Sequence, residues 1–322
     1  MTKLKKNNAK SAIISDASNS NWVDRFCPMW SKPFLKLSRF DRPIGTWLLL
    51  LPCWWGSSLA IWSKNSYITI NDGWIIVSCV LGASLMRGAG CTWNDINDQE
   101  FDARVARTKL RPIPSGQVST NQALAWMILQ ALLSLLILLT FNKFAIFIGV
   151  LSIVPVIIYP FAKRFTWWPQ VFLGVCFNWG IILSFVAHTN SITLSTMVLY
   201  VAAIFWTLFY DTIYAFQDTE DDALLGLKST ALLFGKYAKN WLAFFILMIF
   251  VLMQIAIYAV PSAILSSKIL MAGGALLFSF HLMWQLWQFD SKDSNLCLKL
   301  FKSNKIAGLL VVFFAILSIG FS

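Results

Sequence analysis

Long uninterrupted apolar stretches restrict the fold of this chain more than any other feature. A helix needs about 20 mainly apolar residues to cross the hydrocarbon core of a bilayer. The sequence predicts nine such spans, at 44–63, 73–92, 122–142, 144–162, 170–188, 194–214, 241–260, 263–286 and 306–322. Charged residues make up only 13% of the chain, whereas a soluble protein has about 25%. We therefore predict an all-α polytopic membrane protein, with about nine transmembrane helices in one bundle and cytoplasmic cap loops.

The distribution of basic residues predicts the orientation, because Lys and Arg accumulate in cytoplasmic loops. Basic groups precede the first predicted span and follow the second, fourth, sixth and eighth. Residues 1–38 contain no apolar run long enough for a secretory signal, and they keep Asp16 and Asp24, which a mitochondrial transit peptide would avoid. We predict a cytoplasmic tail over 1–38 and an intramembrane domain over 39–322, formed by two four-helix halves and a ninth helix. The expected location is a bacterial inner membrane, with the mitochondrial inner membrane as the alternative.

Two function classes are disfavoured by charge and cysteine content. The net charge of +11 does not indicate nucleic acid binding, because the basic residues are spread over five cytoplasmic segments and membrane topology explains most of them. The six cysteines lie mostly within predicted spans and show no paired spacing. Neither a disulfide framework nor a zinc site is therefore predicted.

Carboxylates are concentrated at two places, after the second and the sixth predicted spans. Nine of the fifteen acids lie in or beside these windows: Asp95, Asp98, Glu100, Asp102, Asp211, Asp218, Glu220, Asp221 and Asp222. Four spans separate the two clusters, and an even number of crossings returns a chain to the same face of the membrane. Both clusters are therefore expected at one cytoplasmic mouth of a single bundle.

The spacing within the clusters suggests metal binding. If helix continues past the second span, Asn94, Asp98 and Asp102 lie near one face at i, i+4 and i+8, and Asp218 and Asp222 repeat the i, i+4 spacing. Mg²⁺ prefers one or two carboxylates together with water and substrate phosphate oxygens. We predict a Mg²⁺ site that holds a diphosphate, although any single aspartate could equally be a solvated loop charge. The predicted ligands are Asn94, Asp95, Asp98, Asp102, Asp218, Asp221 and Asp222.

Cations lie close to each cluster in sequence and could hold non-bridging phosphate oxygens. The candidates are Arg87, Lys109, Arg111 and Lys228, with Arg104 and Arg107 nearby. Cytoplasmic topology accounts for at least half of them. Lys228, six residues after Asp222, is the leading candidate from the second loop.

Several motifs resemble those of a known family. Asn94-Asp95-x-x-Asp98-x-x-x-Asp102 closely resembles the first signature of the UbiA superfamily of intramembrane prenyltransferases, and Tyr214-Ala215-x-Gln217-Asp218-x-x-Asp221-Asp222 resembles the second. Three further segments are similar to the 4-hydroxybenzoate polyprenyltransferase branch, and they begin at Arg39, Arg87 and Tyr159. The resemblance covers essentially the whole chain beyond residue 38.

The resemblance implies a nine-helix bundle whose central cavity takes a polyprenyl diphosphate. It implies transfer of the prenyl group to the ring carbon ortho to the hydroxyl of 4-hydroxybenzoate, for ubiquinone biosynthesis. Arg164, with Lys163 beside it, matches a basic position that meets the aromatic carboxylate; Arg42 is a second candidate, and Tyr214 could approach the reaction centre. The residues expected to bind Mg²⁺ and diphosphate and so support catalysis are Asn94, Asp98, Asp102, Asp218 and Asp222.

Other functions remain open at the level of the sequence. The acceptor could be a naphthoate, a homogentisate or a haem instead of 4-hydroxybenzoate. A transporter also suits internal repeats and intramembrane acids, but transporter sites lie near the midplane and these acids lie at cytoplasmic span ends. A phospholipid phosphotransferase of the CDP-alcohol type would need an Asp-Gly-x-x-Ala-Arg block, and the sequence has none.

Overall fold

The computed structural model describes residues 21–64, 68–105 and 108–321, and within these ranges the chain is helical and contains no strand. The α-helices are α1 (Trp22–Phe26), α2 (Lys32–Leu37), α3 (Ile44–Lys64), α4 (Ile70–Asp102), α5 (Thr120–Leu138), α6 (Lys143–Leu151), α7 (Ile153–Phe165), α8 (Pro169–Thr189), α9 (Leu194–Ala215), α10 (Thr219–Leu225), α11 (Thr230–Phe234), α12 (Ala238–Tyr258), α13 (Leu265–Gln288) and α14 (Ser294–Gly320).

Among the described residues, nine helical segments are long and apolar enough to cross a membrane. They are α3, α4, α5, α6 with α7, α8, α9, α11 with α12, α13 and α14. The all-α, multi-pass architecture predicted from the apolar stretches is confirmed. The chain is a multi-pass membrane protein.

The last span begins earlier than the sequence predicts. We expected it at 306, with Lys299, Lys302 and Lys305 in the preceding loop, but α14 begins at Ser294 and all three lysines lie on the helix. The side chain of Asp293 caps this helix by accepting a hydrogen bond from the amide of Leu296 at 2.9 Å. Hydropathy misses these turns because their lysines lower the local average, although lysine is a good helix former.

The fourth span is broken at Ser152, between α6 and α7. Pro155 follows three residues later and has no amide hydrogen to donate to the carbonyl of Leu151, so the continuous ladder of helical hydrogen bonds cannot pass this point. The two halves meet at an interruption inside the membrane.

The helices close into a ring. In the described chain α3 packs against α4, α8 and α14, while α9 packs against α8, α12 and α14. The rings of Trp55 on α3 and Trp206 on α9 stack with their centroids 4.8 Å apart. The indole of Trp55 also donates a hydrogen bond to the carbonyl of Gly308 on α14 at 3.0 Å. The first and last spans are therefore direct neighbours.

A buried polar network joins α14 to two other helices. The indole Nε1 of Trp206 donates to Oδ1 of Asn304 at 2.8 Å, and Nδ2 of Asn304 donates to Oε1 of Gln285 at 3.0 Å. All three side chains are fully buried. A buried polar group without a partner is costly in hydrocarbon, so this network fixes the registers of α9, α13 and α14.

A small apolar cluster lies outside the main core and holds the loop after α4. It combines Leu37 of α2 with Ile113 and Val118 of the loop and Ala123 of α5. We call the described residues 103–105 and 108–119 the cap loop. The cluster packs the cap loop against the N-terminal segment and against α5.

Candidate active site

The first acidic motif lies on the last turns of α4, which continues without a break to Asp102. A helix turns by about 100° per residue, so residues four or seven positions apart lie on the same side of it. Asn94 and Asp98 are four positions apart, and Asp95 and Asp102 are seven positions apart. Asn94 and Asp98 face α7, whereas Asp95 and Asp102 both face Arg111 of the cap loop. The structure thus divides the expected row of ligands into two pairs.

Asp98 is the centre of the first pair and is only 1% exposed. Its Oδ2 accepts hydrogen bonds from Nζ of Lys163 at 2.6 Å and from Nδ2 of Asn94 at 3.0 Å. Nη2 of Arg164 lies 3.6 Å from the other oxygen, Oδ1. Within the described chain this buried Oδ1 accepts no hydrogen bond. One oxygen of Asp98 is therefore available to a further ligand.

Asp95 and Asp102 form the second pair, and their partner is the cap loop. Nη1 of Arg111 donates to Oδ2 of Asp102 at 2.7 Å and lies 3.4 Å from Oδ1 of Asp95. Oγ1 of Thr108 donates to the backbone carbonyl of Asp102 at 2.8 Å. These contacts fold the cap loop onto the end of α4, as expected for a cap over the acidic site.

The second acidic motif lies beyond a break in its helix. α9 ends at Ala215, and Asp218 is the N-cap of the separate short helix α10. The amide of Asp222 donates to the carbonyl of Asp218 at 2.8 Å, so the i, i+4 relation survives on the short helix. Asp218, Asp221 and Asp222 are half-buried.

A cavity of about 150 Å³ is lined by residues of α3, α4, α7, α8, α9 and α14 and by Arg42, which precedes α3. Its charged lining residues are Arg42, Arg87, Asp211 and Lys302. Its aromatic lining residues are Tyr159, Phe177, Tyr210, Tyr214 and Phe301. The cavity therefore combines an excess of positive charge with aromatic walls, a lining that suits a small aromatic anion.

Arg87 reaches the cavity because a glycine makes room for it. A Cβ added at Gly45 would lie 2.5 Å from the guanidinium of Arg87, so any larger residue would displace this group. The guanidinium carbon lies 5.2 Å from the ring centroid of Phe177. Among the described residues, the buried Nε of Arg87 has no hydrogen-bond acceptor. This donor is a candidate for binding an anionic ligand.

The cavity lies between the two acidic motifs. Tyr159 lines the cavity from α7, one turn before Lys163, whose Nζ donates a hydrogen bond to Asp98 of the first motif at 2.6 Å. Asp211 and Tyr214 line it from α9, two turns and one turn before Asp218 of the second motif. The helices that carry or contact the two motifs therefore both contribute to the cavity wall.

The other predicted cations lie around the mouth. Nη2 of Arg164 donates to the carbonyl of Asn97 at 3.0 Å, and Arg164 is not among the described residues that line the cavity. Lys228 is joined to the end of α7: its amide donates to the carbonyl of Lys163 at 2.9 Å. Lys109 is exposed on the cap loop, and Arg107 lies outside the described residues. Of the predicted acceptor-binding arginines, Arg42 is the one in the cavity.

Sequence reasoning grouped Asp211 with the second acidic cluster without assigning it a definite role, and it assigned none to five other polar or aromatic side chains of the cavity: Tyr159, Phe177, Tyr210, Phe301 and Lys302. Asp211 lies seven residues, or two helical turns, before Asp218, and this spacing was a usable signal. No comparable signal pointed to Lys302, because it was placed in a loop.

The donor atoms fit Mg²⁺, although the described residues bring no three His, Cys, Asp or Glu side chains together as a metal site. Mg²⁺ is usually bound by one or two carboxylates, with water and substrate phosphates completing its octahedron. A three-carboxylate cage is therefore not required. Asp98, with one oxygen that accepts no hydrogen bond, is a suitable ligand.

A helical bundle with a basic cavity between two aspartate motifs defines the class of intramembrane transferases that act on diphosphates. A model of the UbiA prenyltransferase family matches residues 49–317, and the chain belongs to this family. The predicted family, bundle fold and prenyltransferase class are confirmed.

Relatives and solved structures agree with this family. The mitochondrial 4-hydroxybenzoate polyprenyltransferase of Arabidopsis thaliana is 45% identical over 241 residues, which are 74% of this chain and 58% of that protein. The protein of the same name from Bos taurus is 40% identical over 87% of this chain and 73% of its own length. A UbiA homolog from Archaeoglobus fulgidus bound to DMAPP and Mg²⁺ shares the fold, with a TM-score of 0.66 and 20% identity over 89% of this chain and 99% of that one.

Proposed function

We propose that this chain transfers a polyprenyl group from a polyprenyl diphosphate to 4-hydroxybenzoate, as a step of ubiquinone biosynthesis. The carbon–oxygen bond of the prenyl diphosphate breaks, and diphosphate leaves with the electron pair. The ring carbon ortho to the hydroxyl forms a bond to the allylic cation and then loses its proton, giving 3-polyprenyl-4-hydroxybenzoate. The names of the Arabidopsis and Bos relatives support this acceptor.

The cavity between the two acidic motifs is the observation that carries the proposal. It places Arg42 and Arg87 on a space large enough for a small aromatic ring. Arginine pairs well with carboxylate, because its planar group can donate two parallel hydrogen bonds. The buried Nε of Arg87, which has no acceptor among the described residues, supports Arg87 as the partner of the acceptor carboxylate.

The prenyl diphosphate head group belongs at the mouth, beside α4 and α10. Lys163 and Arg164 lie next to Asp98 and can pair with non-bridging phosphate oxygens. Asn94, Asp98, Asp102, Asp218 and Asp222 are the proposed Mg²⁺ and diphosphate ligands, with Asp221 beside them. Bound Mg²⁺ would neutralise the negative charge that develops on the leaving diphosphate. Lys109, Arg111 and Lys228 surround the same mouth and add positive charge.

The aromatic lining keeps water from the reacting carbon. An allylic cation reacts with water, so the site has to exclude it. Phe177, Tyr210, Tyr214 and Phe301 line the cavity and offer ring faces that attract a positive charge. Tyr214 is one turn before Asp218 and so lies between the cavity and the second motif.

The location that we propose is an inner membrane, with the acidic motifs on the side where basic loops accumulate. The Arabidopsis and Bos relatives are named as mitochondrial, which supports the mitochondrial inner membrane. The bacterial inner membrane stays a prediction. Fractionation of the cells that make this chain would decide between the two locations.

The direct test incubates membranes containing this chain with Mg²⁺, a polyprenyl diphosphate and 4-hydroxybenzoate. We expect a prenylated hydroxybenzoate, identified by its mass, and no product when Mg²⁺ is chelated. Parallel reactions replace the acceptor by a naphthoate, a homogentisate or a haem. Product from one of these acceptors, with none from 4-hydroxybenzoate, would overturn the proposed acceptor and leave the family assignment intact.

Gly45→Ala should raise the KM for 4-hydroxybenzoate by about tenfold, because the added methyl group displaces the guanidinium of Arg87. The KM for the prenyl diphosphate should change much less, since that substrate is placed at the other side of the cavity. Steady-state kinetics with each substrate varied in turn measures both values.

The matched control is Gly90→Ala on α4, where an added Cβ meets nothing within 4 Å. This variant tests the effect of a glycine-to-alanine change without the steric contact, and its KM values should remain native. An equal rise of both KM values in Gly45→Ala would mean that the change disturbs the bundle in general.

A further inference from the structure

Arg39 is held in an unusual and fully enclosed position just before α3. Its φ is 58°, one of two positive values among the described residues other than glycine, and a side chain in this left-handed region has to be held there by its surroundings. Nη1 donates to the carbonyl of Lys36 at 3.1 Å, and Nη2 donates to Oδ1 of Asp95 at 2.5 Å. Burial alone would lower the pKa of Arg39, but the charge and hydrogen bond of Asp95, together with Cys91 and Asp41, outweigh it and raise the pKa above its usual value.

Asp95 is the shared partner of two arginines from different parts of the chain. It is fully buried, and its Oδ1 lies near both Arg39 of the N-terminal segment and Arg111 of the cap loop. Both guanidinium groups lie at Oδ1, whereas Oδ2 is buried and has no hydrogen-bond partner among the described residues. Through Oδ1, Asp95 joins the N-terminal segment and the cap loop to α4.

Ser38, the residue before Arg39, is held by side chains of α5. Oγ of Ser38 donates to Oε1 of Gln130 at 2.9 Å and accepts from Nε1 of Trp126 at 2.8 Å, both on α5. A Cβ at Gly88 of α4 would lie 1.9 Å from Oε1 of Gln130, so only glycine permits this approach. Residues 36–42 are therefore held between α4 and α5.

Both ends of this arrangement reach the proposed site. Arg42, three residues after Arg39, lines the cavity. Asn94 precedes Asp95 by one residue and donates to Asp98 at 3.0 Å. Asp95 therefore connects the residue proposed for the acceptor with the residues proposed for the diphosphate.

We infer that Asp95 is a positioning residue: through Oδ1 it binds Arg39 and Arg111, and it thereby fixes Arg42 and the cap loop relative to Asn94 and Asp98. For the role of Arg42, this inference rests on the proposed function. The contacts of Asp95 with Arg39 and Arg111 do not depend on that function. Asp95→Asn alone leaves Arg39 buried without its counter-ion, and this variant can fail to fold. The informative variant is therefore Arg39→Gln combined with Asp95→Asn, which removes both charges.

The test uses the full chain in lipid nanodiscs and compares the native protein, the double variant and Asp98→Asn. Mn²⁺ alone serves as the probe for metal binding, followed by electron paramagnetic resonance. Hydrogen exchange over residues 36–42 reports the position of the segment, and exchange of α13 is the internal control. KM values for 4-hydroxybenzoate and for the prenyl diphosphate are measured on the same preparations.

We expect the double variant to bind Mn²⁺ with nearly native affinity, while Asp98→Asn weakens binding by about tenfold or more. Residues 36–42 should exchange faster in the double variant, with α13 unchanged, and the KM for 4-hydroxybenzoate should rise by about tenfold. Restoring Asp95 to the double variant, which leaves Arg39→Gln alone, should not restore the native exchange rate.

Three results would overturn the inference. Loss of Mn²⁺ affinity in the double variant as large as that in Asp98→Asn would make Asp95 a metal ligand. Native exchange over residues 36–42 would show that Asp95 does not hold the segment. A native KM for 4-hydroxybenzoate alongside faster exchange would remove the role of Arg42. If the native chain prenylates no hydroxybenzoate at all, the proposed function fails, but Mn²⁺ binding and hydrogen exchange still decide whether Asp95 positions or ligates.

Discussion

Asp98→Ala should lower the rate of prenylated product formation by about 10²- to 10³-fold, with Asp222→Ala changing it in the same direction. Asp98 is buried beside Lys163 and Arg164 at the mouth, and its Oδ1 accepts no hydrogen bond from the described residues. Without this carboxylate, the Mg²⁺ proposed to neutralise the departing diphosphate would lose one of its ligands. The measurement is product formation in nanodiscs at saturating Mg²⁺ and substrates.

Glu100→Gln is the matched control for Asp98→Ala. Glu100 lies on the same helix, two residues further on, but it is exposed. Its rate should remain native, and Glu220→Gln, also exposed, plays the same role for Asp222. A native rate in Asp98→Ala, with the protein folded, would contradict the assignment of the first motif to the reaction and would favour the transporter alternative.

Arg87→Gln should lower kcat/KM for 4-hydroxybenzoate by about 10²-fold, because removal of one partner from a buried charge pair leaves the other charge unpaired. This loss of kcat/KM should occur only with an acceptor that carries a carboxylate. In the native protein 4-hydroxybenzamide should be a poorer acceptor than 4-hydroxybenzoate, whereas in Arg87→Gln the two should become similar. Competition between the two acceptors, with the products separated by mass, measures this ratio directly.

Arg104→Gln is the control for Arg87→Gln, since Arg104 is an exposed arginine at the start of the cap loop. It should keep both the native rate and the native preference for the carboxylate. Loss of the preference in Arg164→Gln and not in Arg87→Gln would place the acceptor carboxylate beside α7, outside the cavity. The same result would restore the assignment of Arg164 that the family resemblance implies.

The membrane spans could be predicted from the sequence, because a bilayer requires long apolar helices. Apolar stretches of helical length identified each of the nine spans found among the described residues, since a polar backbone in hydrocarbon has to satisfy its hydrogen bonds internally. The start of α14 was not predictable from hydropathy, because Lys299, Lys302 and Lys305 make its first turns polar. The break at Ser152 could have been expected from Pro155, which a composition average ignores.

The candidate site was predictable in its residue types and less so in its geometry. Helical spacing grouped the acids, but only the packed structure shows that Asp95 and Asp102 both face Arg111, while Asn94 and Asp98 face α7. The cavity could not be foreseen, because its lining comes from six helices far apart in sequence. Gly45 illustrates this limit: its importance lies in the space that it leaves for Arg87, and that space depends on the packing of α3 against α4.

The direct contact between the first and last spans has a consequence for biogenesis. Among the described spans, α3 is the first to be synthesised and α14 the last. Until then Trp206 and Gln285 lack Asn304, and the cavity lacks the wall that contains Phe301 and Lys302. Before α14 packs, the nascent chain therefore carries indole and amide groups without these hydrogen-bond partners within the bilayer. Its cavity is also open on one side. Packing of α14 both supplies hydrogen-bond partners for these groups and closes the cavity, so the chain becomes competent for the reaction only after α14 has joined the bundle.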